Sequence, residues 1–458
     1  MSAAEPPQGA NSAPAGGSAA AKPQAWGDHA SVIDSRRRNA LRALGVAGAL
    51  ALPGCAAPRR ASSAPAKIVV IGGGYGGATA ARYAARWGAG AVDVILVERD
   101  AAFVSCPLSN LVLGGTLSID EITVGYDALA RHGVTVVHDE ALAVDPERRR
   151  VRLARGDDLP YDRLILSPGI DFFFDRVRGM ESPLARETFL HAWRAGAQTT
   201  ALRAQIESMR DGGVFAISIP RSPYRCPPGP YERACQVAAY FSRAKPRSKV
   251  LVLDGNEEVQ SKKALFMRAW NDDYHGIVEY RPDCVLTDVD VATHTAHFET
   301  ADDVRADVLN VIPPHGAANI AHRTGVVTAN GQWCEIDFLT FESVRIPGIH
   351  VLGDAIQVAP LMPKSGHMAN QHGKVAAAAV IAALAGAPVN PAPVLNNTCY
   401  SYVDPREAVH IASVHRYDAQ QKTYLSVPGA EGLSERKSEL EGAYGFAWAR
   451  AIWHDMLG

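Results

Sequence analysis

Lys67-Ile68-Val69-Val70-Ile71-Gly72-Gly73-Gly74-Tyr75-Gly76-Gly77 is the stretch that decides the fold. A short β-branched run ends in a glycine loop, and the alanine-rich segment 78–87 that follows has helical composition. Glycines at 72, 74 and 77 meet the G-x-G-x-x-G spacing. The first permits a tight turn, the second lets backbone approach a pyrophosphate, and the third lets helix pack on strand. The helix N-terminus then faces the phosphates. A second apolar strand, 92–97, ends at Glu98, about 20 residues beyond Gly77, where an acid can hold both ribose hydroxyls of an adenosine. The stretch therefore predicts a dinucleotide-binding β-helix-β unit with Gly72, Gly74, Gly77 and Glu98 against the cofactor.

A second unit of the same kind starts at Gly212-Gly213-Val214-Phe215-Ala216-Ile217-Ser218-Ile219, with its next strand at 249–253 ending in Asp254. Between them the loop reads Pro220-Arg221-Ser222-Pro223-Tyr224-Arg225-Cys226-Pro227-Pro228-Gly229-Pro230-Tyr231-Glu232. Proline has no N–H and its ring keeps ligands away, so this loop cannot offer a row of amides to a pyrophosphate, and NADH is not expected as a substrate. Cys226 stands in place of the phosphate cradle, beside Arg225, a cation able to favour its thiolate. Glu232 falls where the next helix begins, a suitable place for a carboxylate that moves protons.

Further on, Gly348-Ile349-His350-Val351-Leu352-Gly353-Asp354-Ala355 is an apolar strand that stops at Gly-Asp and leads to a helix expected over 371–385. Here the chain resembles the FAD-dependent disulfide reductase superfamily, which implies FAD as cofactor and Asp354 on the flavin ribityl chain. The segment 161–170, ending Ser167-Pro168-Gly169-Ile170, is similar to the strand and crossover that leave the first FAD segment in such chains.

The arrangement 225–234 together with Cys106-Pro107-Leu108-Ser109-Asn110, Pro363-Lys364-Ser365-Gly366 and Asn397-Thr398-Cys399-Tyr400-Ser401 resembles, from about 67 to 458, the flavoprotein subunit family of flavocytochrome c sulfide dehydrogenase, a relative of sulfide:quinone reductases. That resemblance implies a thioether from Cys106 to the flavin 8α-methyl group, a redox-active disulfide between Cys226 and Cys399, and Glu232 as the base. It implies sulfide as substrate, attacking the disulfide, with electrons leaving through FAD to a c-type cytochrome subunit. The chain contains no Cys-x-x-Cys-His haem site of its own.

Composition sets the outer limits. With 458 residues, 47% hydrophobic and 21% charged, the chain has enough apolar material for more than one core. A formal net charge of −2 gives no basic excess to suggest nucleic acid as a partner. Cys235, Cys284 and Cys334 carry no motif and are expected as buried thiols, and His410 and His415 lack metal-ligand company, so no metal site is expected. The aromatic tail Tyr444, Phe446, Trp448 and Trp453 is expected as core, with one face available to a partner or as a lid over the flavin.

The N-terminus reads as an address. Residues 1–31 are Ala/Pro/Gly/Ser-rich, and Ser35-Arg36-Arg37-Arg38-Asn39-Ala40-Leu41 opens an apolar run over 40–52 that is too short to span a membrane. This is the layout of a twin-arginine export signal and predicts a periplasmic protein. Leu52-Pro53-Gly54-Cys55 resembles a lipoprotein cleavage site, which leaves a lipid anchor at Cys55 open beside plain cleavage after Ala64-Pro65-Ala66.

The expected architecture is α/β: two Rossmann-like dinucleotide-binding domains of the disulfide reductase type plus a smaller C-terminal α+β domain. The expected divisions are leader and signal at 1–66, a first FAD-binding segment at 67–179, the second dinucleotide-type domain at 180–316, a returning FAD-binding segment at 317–389 and a C-terminal interface domain at 390–458. Two other functions remain open. One is a membrane-associated sulfide:quinone reductase, which would need an amphipathic surface that 434–458 does not display. The other is a non-catalytic flavoprotein partner of a sulfur-oxidising complex.

Overall fold

The computed structural model describes residues 64–458. The twin-arginine segment and Cys55 lie outside the described residues.

The opening stretch forms β1 (Ala66–Ile71) and α1 (Tyr75–Gly88), followed by β2 (Val92–Val97), β3 (Val134–Val137) and β4 (Arg163–Leu166). In the second half of the chain come β5 (Val214–Ile219), α2 (Gly229–Ala244), β6 (Lys249–Asp254), α3 (Lys263–Asp272), β7 (Val278–Arg281) and β8 (Val308–Val311). The chain then returns through β9 (Ile349–Val351) and α4 (Gly366–Ala385), and finishes with β10 (Val394–Tyr402), β11 (Ala408–Asp418), β12 (Thr423–Ser426) and α5 (Glu439–Leu457).

Two parallel sheets result. The first has the order β9-β4-β1-β2-β3, so the late strand β9 completes the sheet that the opening strand began. The second has the order β7-β6-β5-β8. Strands of both are near-continuous apolar runs, as parallel strands covered on both faces must be. Ile68, Val69, Val70, Leu164 and Ile165 are inaccessible in the first sheet, and Phe215, Ile217, Val250 and Val252 in the second. This is the doubly built α/β architecture expected. The C-terminal strands β10, β11 and β12 form an antiparallel sheet outside both.

Helices α1 and α4 cross at glycines. A Cβ at Gly373 would lie 2.5 Å from the Gly76 carbonyl oxygen, and one at Gly76 would lie 2.4 Å from Leu352 Cδ1. Thr79 and Ala80 meet α4 at the same place, a Cβ at Gly373 lying 3.1 Å from Thr79 Cβ and from Ala80 N, and Asn370 Nδ2 donates to Thr79 Oγ1 at 2.8 Å. The glycine loop is equally tight: Gly72 turns at φ +95°, and a Cβ at Gly77 would lie 1.8 Å from the Gly72 carbonyl oxygen. By contrast nothing lies within 4 Å of a Cβ built on Gly74.

Two helices start earlier than composition suggests. α1 begins at Tyr75 rather than 78, directly from the glycine loop. α4 begins at Gly366 rather than 371, because Ser365 acts as its cap and accepts a hydrogen bond from the Met368 amide at 3.0 Å. The aromatic tail lies on α5, which returns over the first sheet: Asp455 accepts from Tyr83 Oη at 2.6 Å and Asn370 Nδ2 at 2.9 Å, and pairs with Lys374 at 2.8 Å. Among the described residues no helix is long and apolar enough to cross a membrane.

The contrast between two glycines gives a test of this packing. Gly77→Ala should lower stability by about 1–3 kcal/mol, the range for overpacking, whereas Gly74→Ala should unfold at nearly the wild-type denaturant midpoint. Equal midpoints for the two variants would show that the loop and helix do not approach as closely as described.

Candidate functional site

One cavity of about 1160 Å³ runs from the glycine loop to the cysteines. All of the expected site residues except Gly72 and Gly77 line it: Gly74, Glu98, Cys106, Asp354, Cys226, Glu232 and Cys399. Gly72 and Gly77 shape the loop from behind, by the close approach already described. Glu98 follows β2, and its carboxylate accepts from the Gly73 amide at 2.6 Å and the Asp100 amide at 2.9 Å, which fixes it at the cavity wall. Asp354 sits in a one-turn 3-10 helix at Gly353–Ala355, at the end of β9.

The donor set fits FAD. Gly74 caps α1 with open space where a side chain would stand, so a pyrophosphate can reach the helix N-terminus. Glu98 suits the adenosine ribose, Asp354 the ribityl hydroxyls, and the cavity continues past both to the three thiols.

Cys226 and Cys399 reach the cavity from different regions of the chain. Cys226 lies in the loop before α2 with a left-handed backbone, φ +57°, and its amide donates to the Lys364 carbonyl at 3.1 Å. Cys399 lies in β10. Both are free thiols here, so the expected disulfide is not formed. They are near enough for Cys399 to oppose ionisation of Cys226.

Arg225 does favour the Cys226 thiolate, but its effect is outweighed. Burial pushes the Cys226 thiol up, Cys399 and Glu232 add to it, and Arg225 and Lys262 only partly offset this. The Arg225 guanidinium is directed elsewhere, donating to Cys106 Sγ at 3.2 Å and to the Trp193 carbonyl. Its backbone amide donates to His315 Nε2 at 2.9 Å, and burial holds that imidazole at about 3, in its neutral form.

Glu232 occupies the first turn of α2, as expected. Burial pushes its carboxyl up to about 7, against the opposing effects of the Tyr402 amide and Lys262. Tyr402 N donates to Glu232 Oε1 at 3.2 Å, tying α2 to the end of β10. Next to it Arg233, 1% exposed, donates to Asn110 Oδ1, Asn310 Oδ1 and the His191 and Ala192 carbonyls at 2.7–3.1 Å.

Three residues here had no role assigned from sequence. Lys262 reaches Cys399 Sγ at 3.7 Å and Ser401 Oγ at 2.8 Å. Lys364 donates to the Asp354 and Ile356 carbonyls at 2.9 and 2.6 Å, lies 3.6 Å from the Trp333 ring centre, and is pulled down to about 7 by burial. Arg233 is the third. A lysine is ordinarily a surface residue, so Lys262 gave no signal, whereas Lys364 and Arg233 fall within the stretches 363–366 and 225–234. Cys235, Cys284 and Cys334 are buried thiols, as expected. His410 bonds Glu441 Oε2 at 3.0 Å, and among the described residues no group of His, Cys, Asp and Glu is arranged to hold a metal. Of the tail aromatics, Trp448 lines the cavity, Trp453 Nε1 donates to Tyr75 Oη at 3.1 Å, Phe446 packs on Tyr402 at 5.4 Å, and Tyr444 is exposed.

Fold and cavity together define an FAD-binding flavoprotein of the disulfide oxidoreductase class, and residues 66–208 match the family model described as pyridine nucleotide-disulphide oxidoreductase. Residues 199–313 match the central region of the sulfide dehydrogenase [flavocytochrome c] flavoprotein chain, and 391–457 the flavin-binding region of flavocytochrome c sulphide dehydrogenase. The chain belongs to the family of flavocytochrome c sulfide dehydrogenase flavoprotein chains. It is 48% identical over 46 residues to that flavoprotein chain from Chlorobaculum thiosulfatiphilum, covering 10% of this chain and 94% of that sequence. It is 26% identical over 306 residues to the mitochondrial sulfide:quinone oxidoreductase of Dictyostelium discoideum, covering 63% of this chain and 65% of that protein, just under two thirds of its length. The crystal structure of sulfide:quinone oxidoreductase from Aquifex aeolicus shares the fold, with a TM-score of 0.69 at 15% identity over 85% of this chain and 91% of that one.

The loop before α2 also bears on nicotinamide. Four of its amides are already used: Ser222 N on Asn256 Oδ1, Arg225 N on His315, Cys226 N on Lys364 and Gly229 N on Cys226. NADH added anaerobically to the holoprotein should leave the flavin spectrum unchanged over minutes. Rapid bleaching would show that a pyrophosphate can be held there after all.

Proposed function

We propose that this protein oxidises sulfide at a Cys226–Cys399 disulfide, holds FAD in the cavity beside it, and delivers electrons to a c-type cytochrome partner after export to the periplasm. The observation that carries the reading is the convergence of two thiols from separate elements on one flavin-sized cavity, with a carboxyl poised near neutrality beside them. Family membership and the sulfide-oxidising relatives support it.

In this reading hydrosulfide forms a bond to one cysteine sulfur while the Sγ–Sγ bond breaks, leaving a persulfide on one residue and a thiolate on the other. Glu232 takes up the proton that the new sulfur species releases. The Tyr402 amide holds the carboxyl so that this transfer occurs at one place. Cys106 holds the cofactor through a thioether, with Arg225 orienting its sulfur. Bound FAD supplies the two-electron acceptor and the means to pass electrons on singly. Trp448 at the cavity and the exposed Tyr444, both on α5, support a partner approaching from that side.

Stopped-flow flavin reduction by sulfide tests the core of this. Cys226→Ser and Cys399→Ser should each lose the reaction by orders of magnitude while retaining FAD, and the double variant should be no worse than either, because the pair acts as a unit. Near-wild-type rates in either single variant would sink the disulfide mechanism. Steady-state assays with cytochrome c and with a quinone identify the acceptor; quinone reduction without cytochrome c reduction would replace the proposed partner.

Glu232 sets a pH dependence. Its carboxyl titrates near 7, so the base is present above that value and lost as pH falls through it. At constant hydrosulfide concentration the wild-type rate should fall below about pH 7, whereas Glu232→Gln should be about 10²- to 10⁴-fold slower and lack that inflection. A retained inflection in the variant would assign the base elsewhere. Acid precipitation addresses Cys106: wild-type polypeptide should stay yellow, and Cys106→Ser should release its flavin to the supernatant. Free flavin from the wild type would overturn the thioether.

A further inference from the structure

Lys262 is a buried cation on the cysteine pair, and its sequence setting gives no reason for its presence. It sits immediately before α3 with a left-handed backbone, φ +53°, a conformation that non-glycine residues seldom adopt. Its side chain is directed inward and the residue is only 6% exposed. The ammonium donates to Ser401 Oγ at 2.8 Å and lies 3.7 Å from Cys399 Sγ. Cys399 and Ser401 are alternate residues of β10, so one face of the strand presents thiol and hydroxyl together. Ser401 is itself inaccessible to solvent.

Among the described residues no carboxylate forms an ion pair with the Lys262 ammonium. A buried charge left without a partner is costly, so the site is completed electrostatically when a negative charge forms close by. Cys399 Sγ is the reactive atom within reach. Cys226 has no such contact; Arg225 and Lys262 favour its thiolate from farther off, but burial, Cys399 and Glu232 outweigh them. The two thiols are therefore unequal: a cation touches one, while desolvation dominates at the other.

We propose that Lys262 is a catalytic residue of this site, the counter-ion of the Cys399 thiolate, and that it sets the direction in which the disulfide opens. The inference rests on the sulfide-oxidising reading above. In the opening step the hydrosulfide sulfur bonds to Cys226 Sγ and the Sγ–Sγ bond breaks. Its electron pair leaves on Cys399 Sγ, beside the ammonium. Sulfide sulfur is oxidised as the disulfide is reduced, and the hydrosulfide proton stays on the persulfide or passes to Glu232. Ser401 holds the ammonium in position by accepting its hydrogen bond.

Reduced holoprotein treated with iodoacetamide at pH 7, with each cysteine peptide quantified by mass spectrometry, tests the charge pairing without sulfide. Lys262→Met should slow Cys399 alkylation about tenfold, the scale expected when a thiolate loses a contacting cation, and should change Cys226 less. Lys262→Arg should restore most of the rate. Lys262→Gln serves in place of Lys262→Met if the latter does not load flavin as the wild type does. Cys399 alkylation within about twofold of wild type in the neutral variant overturns the proposal. Because no sulfide takes part, failure of the sulfide reading, seen as absent flavin reduction in the wild type, is read separately. Brief sulfide exposure followed by persulfide mapping then tests direction: the extra sulfur should be on Cys226, and its recovery on Cys399 would reverse the assignment.

Discussion

The buried guanidinium of Arg233 is the interaction on which the site's geometry depends. It stands one residue after Glu232 in the first turns of α2 and binds segments that the chain reaches far apart: Asn110 near Cys106, the His191 and Ala192 carbonyls on the crossover, and Asn310 in β8. Burial pulls it down to about 9, which still leaves it charged at neutral pH, and its hydrogen bonds compensate that burial. Removing the side chain would leave several buried acceptors unpaired at about 1–3 kcal/mol each. With α2 fixed in this way, the loop that carries Cys226 has one rigid end. Asn110 closes the arrangement by donating to the Gly229 carbonyl at 3.1 Å.

The other cysteine is positioned by the C-terminal sheet, and here α2 acts again. Gln236, one turn beyond Glu232, donates to the Tyr402 and Asp404 carbonyls, both at 2.9 Å. The Tyr402 amide returns a bond to Glu232, so the end of β10 is clamped to the helix that starts at the Cys226 loop. Pairing of Cys399 with Ile411 across β10 and β11 sets the strand's register, and a one-residue slip would turn Cys399 and Ser401 to the other face. Ser365 Oγ donates to Asn397 Oδ1 at 2.6 Å, which links the start of α4 to the same strand.

Much of the fold was legible because it rests on local signals. The glycine loop after β1, the apolar parallel strands and the Gly-Asp at the end of β9 each declare themselves within a few residues, and the proline-rich loop before α2 declares the absence of a phosphate cradle. Lys262 did not, since nothing near Gln260-Ser261-Lys262-Lys263 distinguishes it from a solvated pair of lysines. Its meaning depends on Ser401, far along the chain. Arg225 was legible as a cation next to a cysteine but not as to which cysteine, because adjacency in sequence does not fix the direction of a long side chain. The early start of α4 turned on Ser365 as a cap, a signal masked by the proline and glycine around it.

The three thiols of the cavity are chemically distinct, and their surroundings make them so. Cys106 receives a hydrogen bond from Arg225, Cys399 one from Lys262, and Cys226 lies between a buried carboxyl and another sulfur. A symmetric pair could open in either sense and would leave the product on either sulfur. In the proposed reaction, the cation against Cys399 would favour it as the leaving thiolate, and Cys226 would carry the persulfide. Glu232 fits the same division. Its carboxyl is raised by burial rather than by a fixed partner acid, so it can gain or lose a proton near neutral pH without breaking an ion pair. The proposed reaction would thus separate charge and proton onto different elements, α3 with β10 for the thiolate and α2 for the proton, while the hydrogen bonds of Arg233 and Gln236 tie α2 to its neighbours.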